Sequence, residues 1–244
     1  MMIRLKEIKD INDTEKELPS PFYFLDIICE MLGTGIFMKL ERPKIKVIEE
    51  ATIEECAFNN QFTNKKIIEK LEQEIKIEDA EFDCCHFVGI DFKLIKSEKL
   101  VIWDCIFERC DLSNFIFNKT SLRRCEFISC KLMGTVFSEC FLESILFNKV
   151  NGRYININGS KIRNIKVNNS DFSEGRLMEN STKSIELEEV NFNSCDFIKT
   201  NLNDIDFSNC NIEGINIDLQ SLKGMKVNSY QASCLATILG IKIV

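Results

Sequence analysis

A large apolar residue recurs every five positions over most of this chain. From Phe82 the frame runs through Phe87, Phe92, Ile102, Phe107, Leu112, Phe117, Leu122, Phe127, Leu132, Phe137, Leu142 and Phe147. It continues through Ile157, Ile162, Val167, Phe172, Leu177, Leu187, Phe192, Phe197, Leu202, Phe207, Ile212, Ile217, Leu222 and Val227. Only Ser97, Gly152 and Thr182 interrupt it, and the frame never slips. At 45% hydrophobic residues overall, chance does not place large side chains so regularly. A period of five fits neither a helix, at about 3.6, nor a flat strand, at about 2. It calls for a chain that turns a corner every five residues and points one large side chain inward each time.

The position two before each centre is the second inward one. It holds Ala80, Cys85, Cys105, Cys110, Thr120, Cys125, Cys130, Thr135, Cys140, Ser160, Ser170, Gly175, Cys195, Thr200 and Cys210, with Val or Ile at most of the rest. The remaining three positions are mostly polar. Asn191, Asp196, Asn201, Asp206, Asn211 and Asn216 stand immediately before the centre in the most regular stretch.

This pattern resembles the pentapeptide-repeat family, whose motif is roughly Ala-(Asp/Asn)-Leu-X-X, and the resemblance covers residues 78–227. It implies an all-β fold, a right-handed quadrilateral parallel β-helix with four pentapeptides per coil. Residues one coil apart are then expected to stack at about 4.8 Å. Phe87, Phe107, Phe127 and Phe147 form one inward column, with Phe117 and Phe137 in the opposite one. Each buried side chain contributes roughly 1.5–3 kcal/mol, and stability is a sum over neighbouring coils. Gly152 and Thr182 mark places where such a rod bends or loosens.

The chain contains no run of apolar residues long enough to span a membrane. Its first residues, Met1-Met2-Ile3-Arg4-Leu5-Lys6-Glu7, lack the apolar centre of a signal peptide. The expected location is the cytoplasm, where disulfides are not expected. Of the 12 cysteines, those at 85, 105, 110, 125, 130, 140, 195 and 210 occupy the small inward position. They read as small buried hydrophobes rather than metal ligands. Cys105/Cys110 and Cys125/Cys130 are spaced C-x4-C with no matching histidine, so the zinc template fails and no metal or cofactor is expected. His86 is the only histidine and falls on an outward position. With no phosphate loop and no partner for that histidine in a dyad, no enzyme is expected.

The period stops after Val227. In residues 228–244, Tyr230, Cys234, Leu235, Ile238 and Leu239 share one helical face. Asn228 or Ser229 suits the start and Gly240 the end. A short helix here is expected to close the open end of the rod, and its apolar face is a candidate dimer interface. The stretch Leu222-Lys223-Gly224-Met225-Lys226-Val227-Asn228-Ser229-Tyr230-Gln231-Ala232-Ser233, then Leu239-Gly240-Ile241, is similar to the end of the Qnr-type quinolone-resistance proteins. That resemblance implies a homodimer joined end to end through the helix. It also implies a DNA mimic that binds DNA gyrase or topoisomerase IV and protects it from fluoroquinolones.

Residues 1–44 read as an extension with a helix near 21–32, opened by Ser20-Pro21 and closed by Gly33. Residues 45–77 read as an N-terminal cap. Ile53 and Phe58 suggest an early coil in another frame, and Ile67, Ile68, Leu71 and Ile75 suggest a helix near 64–75. The long extension departs from the compact starts of many Qnr-type proteins. The unbroken frame lacks the loops of Gram-negative members and resembles Gram-positive ones.

Charge divides the rod. Net charge is −7, but residues 93–166 carry thirteen bases against seven acids. The bases include Lys119, Arg123, Arg124, Lys131, Lys149, Arg153, Lys161, Arg163 and Lys166. Residues 171–218 carry three bases against eleven acids: Asp171, Glu174, Glu179, Glu186, Glu188, Glu189, Asp196, Asp204, Asp206, Glu213 and Asp218. These acids are the candidate topoisomerase-binding face. The alternative is a non-enzymatic scaffold for another protein. Direct nucleic-acid binding by the basic coils lacks an aromatic stacking platform on outward positions.

Overall fold

The structure, a computed structural model, describes residues 40–45, 48–59, 62–68, 71–78, 80–98 and 100–242. The chain divides into two units, Met1–Phe37 and Met38–Val244, and everything described belongs to the second. The helix expected near 21–32 lies outside the described residues.

Short parallel strands carry the repeat. In chain order they are β1 (Glu49–Ala51), β2 (Phe62–Thr63), β3 (Lys65–Ile67), β4 (Ile75–Glu78), β5 (Glu81–Asp83), β6 (His86–Val88), β7 (Ile95–Glu98), β8 (Val101–Trp103) and β9 (Ile106–Glu108). They continue as β10 (Ile116–Asn118), β11 (Ser121–Ile128), β12 (Val136–Ser138), β13 (Phe141–Asn148), β14 (Asn156–Asn158), β15 (Lys161–Asn168), β16 (Arg176–Met178) and β17 (Ser181–Glu188). Each coil pairs with the next at a step of twenty residues: Leu122 faces Leu142, then Ile162, and Phe127 faces Phe147, then Val167. The result is a parallel β-solenoid with four faces per coil. Two adjacent faces, centred on Leu122 and Phe127, form one eleven-stranded sheet running to β17 at its edge. The Phe137 face carries the four-stranded sheet β10-β12-β14-β16. The Leu132 face is built from turns joined by single bridges, such as Asp111 to Lys131 and Lys131 to Asn151.

The inward columns are those the period predicts. Phe87 stacks on Phe107 with centroids 5.1 Å apart, Phe107 on Phe127 at 4.8 Å, and Phe127 on Phe147 at 5.2 Å. Phe117 stacks on Phe137 at 4.7 Å. At most corners the residue two after the centre sits at positive φ, for example Asp104 (53°), Lys119 (53°), Glu139 (53°) and Lys199 (56°). An L-residue there costs on the order of 1 kcal/mol, which burial of the adjacent centre offsets.

The small inward position does more than fill space. Its side chain donates to the carbonyl of a centre 23 residues earlier. Cys105 Sγ reaches Phe82 O at 3.3 Å, Cys130 reaches Phe107 O at 3.2 Å, and Cys140 reaches Phe117 O at 3.3 Å. Thr135 and Thr200 hydroxyls do the same to Leu112 O at 2.7 Å and Leu177 O at 2.6 Å. A short donor at this corner satisfies a carbonyl inside the wall, so cysteine, serine and threonine share the position.

Two expectations at the start of the rod are corrected. Residues 64–75 do not form a helix: β3 occupies Lys65–Ile67 and β4 begins at Ile75. Phe62, Ile67 and Ile77 continue the five-residue frame, and Phe62 pairs with Phe82 one coil on. The apparent helical spacing of Ile67, Ile68, Leu71 and Ile75 loses to that pairing, and Ile68 stays exposed. Ile53 and Phe58 are likewise not an early coil. They lie on a helix, α1 (Ile53–Asn59), which buries Ile53 and leaves Phe58 91% exposed. Thr52 and Glu55 open it with reciprocal side-chain-to-backbone bonds of 3.0 and 3.1 Å.

The ladder also has a break. On the Leu132 and Phe137 faces the bridges continue past β17, from Asn191 to Asn211 and from Asp196 to Asn216. On the other two faces β17 has no bridge to residues 201–208 among the described residues, and there the Thr182 hydroxyl bonds Asn201 O. The loosening expected at Thr182 is therefore present. At Gly152 the backbone bonds run on unbroken, with Gly152 N to Asp171 O at 2.7 Å. No helix among the described residues is long and apolar enough to cross a membrane.

Candidate functional site

The eleven acids of the last coils do not share one face. The twenty-residue register puts Asp204 on the Leu122 face and Glu186, Glu188, Glu189 and Asp206 on the Phe127 face. It puts Asp171, Glu174 and Glu213 on the Leu132 face and Glu179, Asp196 and Asp218 on the Phe137 face. The candidate face is thus a ring, because acids spaced at multiples of five fall on successive faces.

The ring is only partly neutralised. Glu174 takes Arg153 at 2.7 Å, Glu179 takes Lys199 at 3.0 Å, Glu186 takes Lys166 at 3.7 Å and Asp204 takes Lys226 at 3.6 Å. Four others are held by uncharged donors. Asp171 accepts from Ser173 N and Asn191 Nδ2, both at 3.0 Å, and Asp196 from Asn216 Nδ2 at 3.0 Å. Asp206 accepts from Ser208 N at 2.8 Å, which lowers its carboxyl pKa. Asp218 accepts from Lys199 N at 2.6 Å and from Ser221 N at 3.0 Å, and these bonds pull its pKa down to about 2. At Asp206 and Asp218 these bonds favour the ionised carboxylate without cancelling its charge. Glu188, Glu189 and Glu213 have no cation within salt-bridge distance among the described residues.

The basic coils are more fully paired. Lys93 holds Asp111 at 2.8 Å, Arg123 holds Glu143 at 2.9 Å and Lys119 holds Glu139 at 3.7 Å. Arg124 grips both oxygens of Asp104, at 2.7 and 2.5 Å. Burial raises the Asp104 carboxyl, but Arg124 and Lys44 N outweigh it and leave the pKa below its ordinary value. Asp83, Cys84 and Asp104 come together here, and Arg124 already supplies the positive charge that their grouping needs. His86 is half-buried and meets Glu108 at 3.1 Å.

The C-terminal helix α2 spans Ser229–Ala236, with a further turn at Thr237–Leu239 that ends on Gly240 at φ 75°. Asn228 caps it reciprocally with Gln231, both bonds being 2.9 Å. The residue it buries is Gln231, not one of the apolar set. Gln231 Nε2 donates to Phe207 O at 2.9 Å and to Cys210 O at 2.8 Å. It thereby gives Cys210 O a donor and adds a second to Phe207 O, which already accepts from Cys210 N at 2.8 Å. The sequence signal was present in the Asn228-x-x-Gln231 spacing of a capping box. Of the candidate dimer residues, Leu235 packs partly on the core, while Tyr230 is 75% and Ile238 44% exposed and Cys234 is exposed.

Comparison with known proteins agrees with this construction. A model described as "Pentapeptide repeat region" matches residues 100–177, and one described as "Pentapeptide repeats (8 copies)" matches 185–218. No curated protein sequence matches the chain. Among solved structures, a trypsin-treated variant of QnrB1, a plasmid-mediated fluoroquinolone resistance protein, is 20% identical with a TM-score of 0.42. That match covers 82% of this chain and 98% of that one. Full-length QnrB1 is 19% identical with a TM-score of 0.39, covering 80% and 97%. HetL, involved in heterocyst differentiation regulation in the cyanobacterium Nostoc sp. strain PCC 7120, is 12% identical with a TM-score of 0.42, covering 82% and 92%. From the five-residue frame, its twenty-residue coils and the two repeat models that match along them, the chain belongs to the pentapeptide-repeat proteins.

Proposed function

We propose that this chain is a non-enzymatic DNA mimic that occupies the DNA-binding surface of a type II topoisomerase, DNA gyrase or topoisomerase IV, and protects it from fluoroquinolones. The observation that supports this is the acidic ring around the last coils. Duplex DNA presents negative charge on every side of a cylinder, and acids distributed over four faces approach that more closely than one acidic face does. Seven of the eleven carry no salt bridge among the described residues, so the field survives the local pairing. Such a field steers association over about 8 Å at physiological salt. The basic middle coils oppose mimicry less than their composition suggests, because Lys93, Lys119, Arg123 and Arg124 are each spent on a carboxylate.

The exposed apolar side chains at the end of the rod, Tyr230, Ile238 and Ile241, support pairing of two copies through the C-terminal helix. Two acidic segments would then lie together at the centre of a homodimer. The test is a gyrase supercoiling assay with ciprofloxacin, with and without the purified protein, and the same for topoisomerase IV decatenation. Restored activity is expected. No restoration at any ratio, with unchanged drug susceptibility on expression, would sink the reading.

A further inference from the structure

The Leu122 face carries bases that the salt bridges of the rod leave over. The twenty-residue register sets Trp103, Arg123, Glu143, Arg163 and Lys183 in one outward column. Phe141 and Lys161 stack in the column beside it. On β8, β11, β13, β15 and β17 this face thus shows four bases and one acid. Arg123 takes that acid, Glu143, at 2.9 Å. Lys161, Arg163 and Lys183 are exposed and have no carboxylate within salt-bridge distance among the described residues. Of the acids in the last coils only Asp204 lies on this face, and it holds Lys226 at 3.6 Å. The acidic ring is thinnest here, and the rod has one positive side.

The aromatic side chains expected to be missing from outward positions stand on the same face. Trp103 is 39% exposed. Phe141 is partly exposed, and the Arg163 guanidinium lies over its ring, 6.0 Å from the centroid, as a cation–π pair. Strand pairing makes the surface one continuous sheet from β8 to β17. At about 4.8 Å per coil, four steps take the face from Trp103 to Lys183, about 19 Å. Trp103 and Phe141 are two coils apart, about 10 Å, with Arg123 on the coil between them. Rings and cations therefore alternate along the axis over the first four of these coils.

We infer that this face binds a single-stranded nucleic acid laid along the rod axis. Lys161, Arg163 and Lys183 meet its phosphates, while Trp103 and Phe141 stack on its bases. The rings decide between polyanions. An acidic polypeptide or an anionic bilayer would engage the cations alone, and a duplex keeps its bases stacked inside. A single strand offers charge and an open π-face together. The site goes beyond the topoisomerase reading and is independent of it, since that reading uses the acidic ring and this one the basic face.

Trp103 is the only tryptophan in the chain, so its fluorescence reports on this face directly. The probe is oligothymidylate about 12 nucleotides long, within the usual size of single-strand sites, read by anisotropy of a fluorescein label and by tryptophan quenching. Saturable binding with quenching is expected at low salt. Three phosphate contacts predict that log K falls against log salt with a slope of about −2. Lys161→Gln with Arg163→Gln should weaken binding about tenfold or more and leave a slope of about −0.7. Trp103→Ala should weaken it about fivefold or more with the slope unchanged. Both variants replace outward side chains, and circular dichroism should show the fold intact. Polyglutamate, phosphatidylserine vesicles and a duplex of the same length are the competing polyanions, expected to bind more weakly and without quenching. No binding at low salt, equal binding of any competitor, or binding unaltered by Trp103→Ala would overturn the inference. Because Trp103→Ala leaves every acid of the ring in place, loss of oligonucleotide binding with retained gyrase protection would separate the two sites.

Discussion

The ring of Phe172 occupies the space that Gly152 leaves empty: a Cβ built on Gly152 would lie 2.6 Å from Phe172 Cδ1. One centre of the frame thus supplies no side chain, and the centre one coil on supplies the missing volume. Phe172 in turn meets Phe147 edge-on at 5.7 Å and Phe192 at 6.0 Å, so its ring is held from both sides. Gly152→Ala should therefore destabilise the rod, by about 1–3 kcal/mol for overpacking a full core. Urea unfolding would measure this, and Phe172→Leu in the same chain should recover part of the loss. An unchanged midpoint for Gly152→Ala would mean that the ring has room to move.

Gln231 is the second pressure point. Replacing it by leucine keeps much of the volume but removes the Gln231 donor from Cys210 O, while Phe207 O keeps its bond from Cys210 N at 2.8 Å. An orphaned buried acceptor costs roughly 1–3 kcal/mol, so Gln231→Leu should lower the thermal midpoint. Gln231→Glu offers no donor when ionised and should be at least as harmful. Light scattering on the same samples would detect the association that an unsealed end invites.

Most of the rod was legible in the sequence because its packing rule is local: one large residue in five, stacked on its own counterpart one coil away. The columns of Phe107, Phe127 and Phe147 follow from that rule alone. Local spacing misleads at residues 64–75 because Glu72 falls on a centre and Ile68, Leu71 and Ile75 coincide with helical spacing. Pairing of Phe62 with Phe82 is a long-range fact that a local period does not reveal. The acids were legible as a cluster but not as a ring, since which face a residue joins depends on its remainder after twenty. Gln231 escapes a reading of the apolar face because a buried polar residue on a capping helix runs against that rule.

Acid should weaken the last coil through Asp218. Asp218 is fully ionised near neutrality, and amide donors hold its pKa at about 2, below the unfolded value of about 3.9. A depressed carboxyl contributes stability above the unfolded pKa and loses it as pH falls through the folded one. The thermal midpoint should therefore be insensitive to this group above about pH 4 and decline between about pH 4 and 2. Asp218→Asn should flatten that part of the profile. An identical acid limb in the variant would assign the decline to other carboxylates, such as Asp104 and Asp206, whose pKa values are also lowered.

Ile238 separates association from folding. It is 44% exposed, whereas Leu235 packs partly on the core, so Ile238→Asp tests the interface while Leu235→Asp also tests the cap. Ile238→Asp should convert a dimer into a monomer in light scattering, with an unaltered melting midpoint. A monomeric wild type would remove the paired acidic centre from the proposed mode of binding.

The uneven ladder beside β17 has a mechanical meaning. Neighbouring coils there are tied along the Leu132 and Phe137 faces and, on the other two, chiefly at one corner, where Asn201 N donates to Asn180 O at 3.1 Å and the Thr182 hydroxyl to Asn201 O, as pages are tied at a spine. Bending that opens the loosely tied side strains few backbone hydrogen bonds, while bending the other way compresses packed side chains. The stiffness of the molecule is therefore directional at that one level, and a partner surface of a particular curvature can be met by flexing about the spine without unwinding either end.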